Sequence, residues 1–203
     1  MIFVVIFTSM LHFLVGELLY VRNTLLGKSQ PNRVTFFLWA FIPAIAIAAG
    51  LSAGETWSLL PVFMVGFGPF LISLASFWNP RAYWKLGTFD YTAGVLALLA
   101  IVLWLLIDEP ATAVFFSILA DGFAGLPTLI KAWKHPETET GVAYAFATLN
   151  AIVGSTLVVS YDFTNFGFLA YTVAINFCLA FFVYRKNLLQ KLRTEFSTIE
   201  KEF

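Results

Sequence analysis

Phe115–Thr140 reads FFSILADGFAGLPTLIKAWKHPETET. The segment opens as a strongly apolar helix and carries an acid, Asp121, well inside it. It is expected to break at Pro127, and it leaves its apolar phase through Lys131, Lys134 and His135. It is long enough to cross a bilayer, which takes about 20 predominantly apolar residues. An acid within such a segment costs about 2.5–3.5 kcal/mol on insertion scales, and it usually faces a bundle interior or a water-filled cavity. The helix is therefore expected to line a central polar site.

The rest of the 203-residue chain has the same character. It is 60% hydrophobic, 18% aromatic and only 12% charged, with mean hydropathy +0.83. A soluble domain is nearer half apolar and a quarter charged, so the chain reads as an integral membrane protein. No basic stretch precedes the apolar N-terminal run, and the first span is expected to be retained rather than cleaved. The single cysteine, Cys178, lies in an apolar run and has no second cysteine to pair with.

Seven apolar stretches have the length of a span: about 2–21, 34–53, 56–77, 89–107, 111–131, 142–160 and 164–184. No long soluble insertion separates them, which excludes a separate catalytic domain. After Tyr184 the apolar residues Leu188, Leu189, Leu192 and Phe196 recur at helical spacing, so the tail is expected to continue the last helix or lie on the membrane surface.

The charges are sorted. All twelve Lys and Arg fall in the first, third and fifth links and the tail, whereas the second, fourth and sixth links hold only Glu55, Asp108, Glu109 and Asp162. The positive-inside rule then places the N-terminus outside and the C-terminus in the cytoplasm, with an odd number of spans. A shift of 108 residues lays the first triplet of spans on the last. Arg22 falls on Ile130 beside Lys131, and Val34 falls on Val142. The match lies in hydropathy and loop length. It predicts two three-helix units facing the same way because an odd helix joins them, a known transporter arrangement.

That pattern, with Pro127-Thr128 near the basic end of the second triplet's first helix and Asn176 in its last, resembles the superfamily of SWEET sugar transporters, PQ-loop proteins and bacterial vitamin transporters. GELLYVRNTLLGKSQPNRVTFFLWAF and DGFAGLPTLIKAWKHPETE resemble a bacterial branch of it. The first triplet departs from the motif, with Leu19-Tyr20 in place of Pro-Gln, and the repeat mate of Asn176 is Gly68. The resemblance implies an all-α membrane protein of seven transmembrane helices. Two parallel three-helix repeats (1–80 and 110–184) would flank a linker helix (81–109), with a cytoplasmic tail (185–203). It implies a bacterial plasma-membrane location and a homodimer or larger assembly.

The expected function is transport or facilitation of a small polar solute by alternating access between the two bundles. The expected substrate-binding residues are Asp121, Asn150, Asn176 and Glu17, with Trp39, Tyr20 and Tyr144 as aromatic surfaces. Glu17 or Asp121 could exchange a proton. Glu17 could equally pair with a neighbouring cation, and the two asparagines could act as helix-to-helix glue. Pro43, Pro69 and Pro127 fall inside spans and are expected hinges. The PNR of 31–33 and the PETET of 136–140 read as helix starts. The alternative is a membrane receptor or interaction protein on the same bundle, working through its tail and basic links.

The partners expected are the lipid bilayer and a small-molecule substrate, not nucleic acid. No catalytic constellation, phosphate-cradling glycine motif or metal-ligand spacing is present, so no enzyme activity, metal or cofactor is expected. A retinal-binding reading fails because span 164–184 contains no lysine.

Overall fold

A computed structural model describes residues 2–52, 60–107, 109–158 and 160–202. Glu55 and Asp108 lie outside the described residues. Ile2–Leu25 is one continuous rod made of α1 (Ile2–Leu11), a π-helical stretch (His12–Glu17) and α2 (Leu18–Leu25). It is followed by α3 (Arg33–Ser52), α4 (Leu60–Trp78), α5 (Thr88–Leu106), α6 (Pro110–Lys134), α7 (Gly141–Ser155) and α8 (Phe163–Glu202). The described residues thus form seven helical rods. Four of them, Phe3–Leu25, Thr88–Leu106, Pro110–Lys134 and Phe163–Leu189, are long and apolar enough to cross a membrane.

Alanines make up much of the interior, beside Tyr20, Ile72 and Leu179, and many large apolar side chains lie on the exterior. Ala97, Ala120, Ala124 and Ala132 are fully buried, while Phe3, Phe77, Trp78 and Leu106 are more than 60% exposed. So many exposed large apolar side chains would be unfavourable in water. The arrangement suits a hydrocarbon solvent, where helices gain by close backbone approach rather than by hiding leucine. The chain is an all-α protein with the makings of an integral membrane protein.

The sorted charges serve as helix-end partners. Glu109 accepts the backbone N–H groups of Ala111 (3.2 Å) and Thr112 (2.6 Å) at the start of α6, with Pro110 in the first position. Asp162 accepts the Asn165 N–H (2.9 Å) at the start of α8. Hydrogen bonding from Thr112 holds the Glu109 carboxyl below its usual range, and bonding from Ser160 and then Asn165 does the same for Asp162. Asn32 caps α3 through the N–H groups of Val34 and Thr35 (3.1 and 3.2 Å). At the opposite polarity, the Arg185 guanidinium donates to the Ala132 and Trp133 carbonyls in the last turn of α6.

The rods pack in a reciprocal pattern. The first rod packs on α4, and α4 packs on α3. Likewise α6 packs on α8, and α8 packs on α7. Between these groups the first rod lies against α7 and α6 lies against α3, while α5 bridges α3 and α6.

Three features differ from expectation. α6 runs unbroken from Pro110 to Lys134, so the break expected at Pro127 does not occur. α7 ends at Ser155, short of the expected 160, and is about 22 Å long at 1.5 Å per residue. The Ser155 and Thr156 hydroxyls bond back to the Ile152 and Val153 carbonyls, and a turn follows Gly154. The first rod is not uniform α-helix. Leu18 donates to the Phe13 carbonyl, five residues back, which widens one turn.

Pro43 and Gly66 show how closely α3 and α4 meet. A Cβ at Gly66 would lie 2.8 Å from Pro43 Cβ, whereas one at Gly154 would make ordinary contact, 3.8 Å from Leu169. Gly66→Ala should therefore destabilise the protein by about 1–3 kcal/mol through overpacking against a rigid ring. Gly154→Ala should leave the melting temperature in detergent unchanged or raised.

Candidate functional site

At the end of the bundle where Lys and Arg gather, a buried polar cluster joins the first rod to α6 and α7. Its centre is Glu139, in the link between α6 and α7. Its Oε1 pairs with Lys131 Nζ at 2.6 Å, and the two side chains are 1% (Lys131) and 0% (Glu139) exposed. Its Oε2 accepts the hydroxyls of Tyr20 (2.5 Å) and Tyr144 (2.7 Å). The Lys131 ammonium also donates to the Gln30 carbonyl and lies 5.0 Å above the centre of the Trp84 ring. Glu139 Oε2 is thus hydrogen-bonded twice, while Oε1 is held by the ion pair alone and makes no hydrogen bond of normal geometry.

The two links interlock around this pair. Gln30 N–H donates to the Thr138 carbonyl (2.9 Å), the Ser29 and Thr140 hydroxyls meet at 2.7 Å, and Asn23 donates to Thr140 Oγ1 (3.0 Å). The turn after α2 depends on Gly27, whose φ of +71° suits glycine, and a Cβ there would lie 2.9 Å from Arg81 Cβ. The hydroxyls of Tyr20 and Tyr144 are thus spent on Glu139, and their rings pack edge to face at 6.3 Å.

A second acid lies deeper in the first rod. Glu17 Oε1 is 3.1 Å from His12 Nε2, and both residues are buried. The π-helical stretch explains the meeting. In an α-helix, residues five apart point about 140° away from each other, whereas the wider turn brings them to one side. Glu17 Oε2 has no hydrogen-bond partner among the described residues. Its side chain occupies the space that a Cβ at Gly68 would take, 2.5 Å from Glu17 Cγ. Glu17 therefore pairs with a histidine of its own helix.

Asp121 stands about 15 Å along α6 from Lys131 at 1.5 Å per residue. It is part-buried, and its Oδ2 accepts the Tyr171 hydroxyl from α8 at 2.7 Å. Trp39 of α3 reaches the same place. Its indole sits beside Asp121 and crosses α6 at Gly125, where a Cβ would lie 2.9 Å from Trp39 Cζ2. The Trp39 indole N–H, buried, makes no hydrogen bond of normal geometry, and neither do the buried hydroxyls of Thr35 and Thr128. These groups belong to the two facing helices α3 and α6.

The two asparagines are placed differently. Asn150 Oδ1 on α7 accepts the hydroxyls of Thr8 and Ser9 on α1, each at 3.0 Å, which is helix-to-helix bonding. Asn176 donates to the Thr172 carbonyl one turn back on its own helix (3.0 Å). The structure therefore brings Tyr20 and Tyr144 together on Glu139, and Asp121 together with Trp39. Asn150 and Asn176 hydrogen-bond elsewhere. Pro43, Pro69 and Pro127 lie inside α3, α4 and α6.

The residues that sequence reading missed are Glu139, Lys131 as an interior cation, Tyr171 and His12. In the sequence PETET reads as a helix start, which leaves Glu139 unremarked. The available signal was the position of Glu139, an acid among the basic residues of the fifth link, eight residues after Lys131. The chain matches no protein family, no curated protein and no solved structure.

Removing one member of a buried pair strands the other, at about 3–5 kcal/mol. Lys131→Met and Glu139→Gln should each lower thermal stability in detergent by that order. The double variant should lose clearly less than the sum, and additive losses would show that the two side chains do not act as a pair.

Proposed function

We propose that this protein carries a small polar solute across a membrane, by rocking two three-helix units that α5 joins. The first unit is the first rod with α3 and α4, and the second is α6, α7 and α8. The reciprocal packing supports that division: in each unit the first helix meets the third and the third meets the second, and each unit's first helix meets the other's second. The positive-inside rule puts the Lys- and Arg-rich end in the cytoplasm, and the resemblance to bacterial carriers suggests a bacterial plasma membrane. This division resembles that of SWEET-like carriers.

One observation carries the reading. A part-buried acid, Asp121, sits beside Tyr171 and Trp39 on the inner reach of α6, while the same helix ends in a sealed polar lock, Lys131 with Glu139. A carrier needs a recognition group at depth and one closed end at a time. In this reading Asp121 recognises the solute, Trp39 supplies a flat aromatic face, and the lock holds the cytoplasmic end shut. Glu17, with one unpartnered oxygen beside His12, is the second proton-exchanging candidate.

The test is uptake by proteoliposomes offered a panel of sugars, amino acids and vitamins. At least one solute should enter, and Asp121→Asn should reduce its rate at least about tenfold, the loss of one charge-assisted contact of roughly 1.4 kcal/mol or more. Flux of none of the panel would contradict the proposal, as would a flux that Asp121→Asn leaves intact. The rival reading, a membrane receptor, draws on α8, which continues to Glu202 beyond its apolar stretch ending at Leu189. It would be favoured by a stable partner whose capture needs residues 190–202 and not Asp121.

A further inference from the structure

α3, α4 and α5 leave between them an open crevice of about 460 Å³ on the outer surface of the bundle. Its walls are Phe37 of α3, Phe77 of α4 and Tyr91 and Leu98 of α5, all exposed apolar or aromatic residues of a chain with the surface of a membrane protein. The crevice begins at the Lys- and Arg-rich end and follows α5 inward from Tyr91 to Leu98, about 10 Å at 1.5 Å per residue. Gly94 lies between these two residues. A Cβ there would lie 2.8 Å from Val34 Cγ1, so α5 is held close to α3 at the crevice floor. Hydrocarbon is the natural filling for such a slot in a bilayer.

Its mouth is polar. Arg33 Nε donates to Ser76 Oγ (3.1 Å) and its Nη2 to the Ser76 carbonyl (2.7 Å). The guanidinium lies 4.0 Å from the centre of the Phe77 ring and 4.7 Å from that of Tyr83. These contacts brace the group, while its Nη1 hydrogen-bonds to none of the described residues. No carboxylate pairs with it among those residues, and Asp90, beside Tyr91, is committed to Asn32 (2.6 Å) and the Gly87 N–H (2.6 Å). A planar cation held in place with one donor edge free is suited to a phosphate oxygen. Basic pockets between membrane helices hold anionic head groups in this way.

We infer that this crevice binds one anionic phospholipid of the surrounding bilayer. Its phosphodiester sits on Arg33, flanked by Tyr83, and one acyl chain lies between α3, α4 and α5. The site is separate from Asp121 and the Lys131–Glu139 lock, and it stands whether or not the protein carries a solute.

Native mass spectrometry of the full chain in detergent tests this, with phosphatidylglycerol and phosphatidylcholine of identical acyl chains supplied in equal amounts. The intact protein should retain one phosphatidylglycerol about fivefold more than phosphatidylcholine, the preference one surface cation confers. Arg33→Gln should bring the two to parity. Because Arg33 also braces Ser76, Leu98→Trp serves as the second variant: Leu98 is exposed, so the larger ring fills the crevice without entering the core. It should lose the retained lipid while keeping its melting temperature. Equal retention of both lipids by the unaltered chain would overturn the assignment, and so would undiminished phosphatidylglycerol retention in Leu98→Trp.

Discussion

Lys131 and Glu139 face each other at 2.6 Å with almost no access to solvent. Two charges removed from water in this way are costly unless each finds further partners. Tyr20, Tyr144, the Gln30 carbonyl and the Trp84 ring supply them, and they come from the first rod, the link after it, α7 and the link before α5. Satisfying one ion pair therefore fixes how four separate parts of the chain meet. The interlocked links, the turn at Gly27 and the packing of Tyr20 against Phe36 (5.1 Å) and Tyr144 surround that arrangement.

Above the lock the bundle changes character. Alanines and glycines let helices approach closely, and the remaining polar groups are few and specific: His12 with Glu17, Asn150 with Thr8 and Ser9, and Asp121 with Tyr171. Several buried polar atoms, on Glu17, Trp39, Thr35 and Thr128, make no hydrogen bond of normal geometry among the described residues. Unpartnered groups at membrane depth are expensive to keep. In the transport reading they are the places where a solute or a proton is exchanged, while the satisfied lock below them closes the path.

Much of the fold was legible because it rests on composition and periodicity. The apolar stretches and the sorted charges gave the helical, membrane-suited character, and the acids at Glu109 and Asp162 prove to be helix caps. Less of the candidate site was legible. Asp121 stood out because an acid inside an apolar run breaks a pattern. Glu139 did not, because an acid in a polar link breaks none, and its burial depends on Tyr20, 119 positions earlier in the chain. His12 and Glu17 pair only because the first rod adopts a π-helical turn, which helical spacing alone does not announce. Phase and hydropathy show which residues share a face. They do not show which polar groups a distant loop will cover.

In the transport reading the Lys131–Glu139 lock is a releasable closure between two units rather than a static staple. It is tested most directly by a pulsed dipolar distance measurement between spin labels at Lys28 and Lys186, in lipid, with Cys178 replaced. One short separation is expected in the otherwise unaltered chain, and a second, longer population when Lys131→Met and Glu139→Gln are combined. A single distance, unchanged by that double substitution, would contradict it.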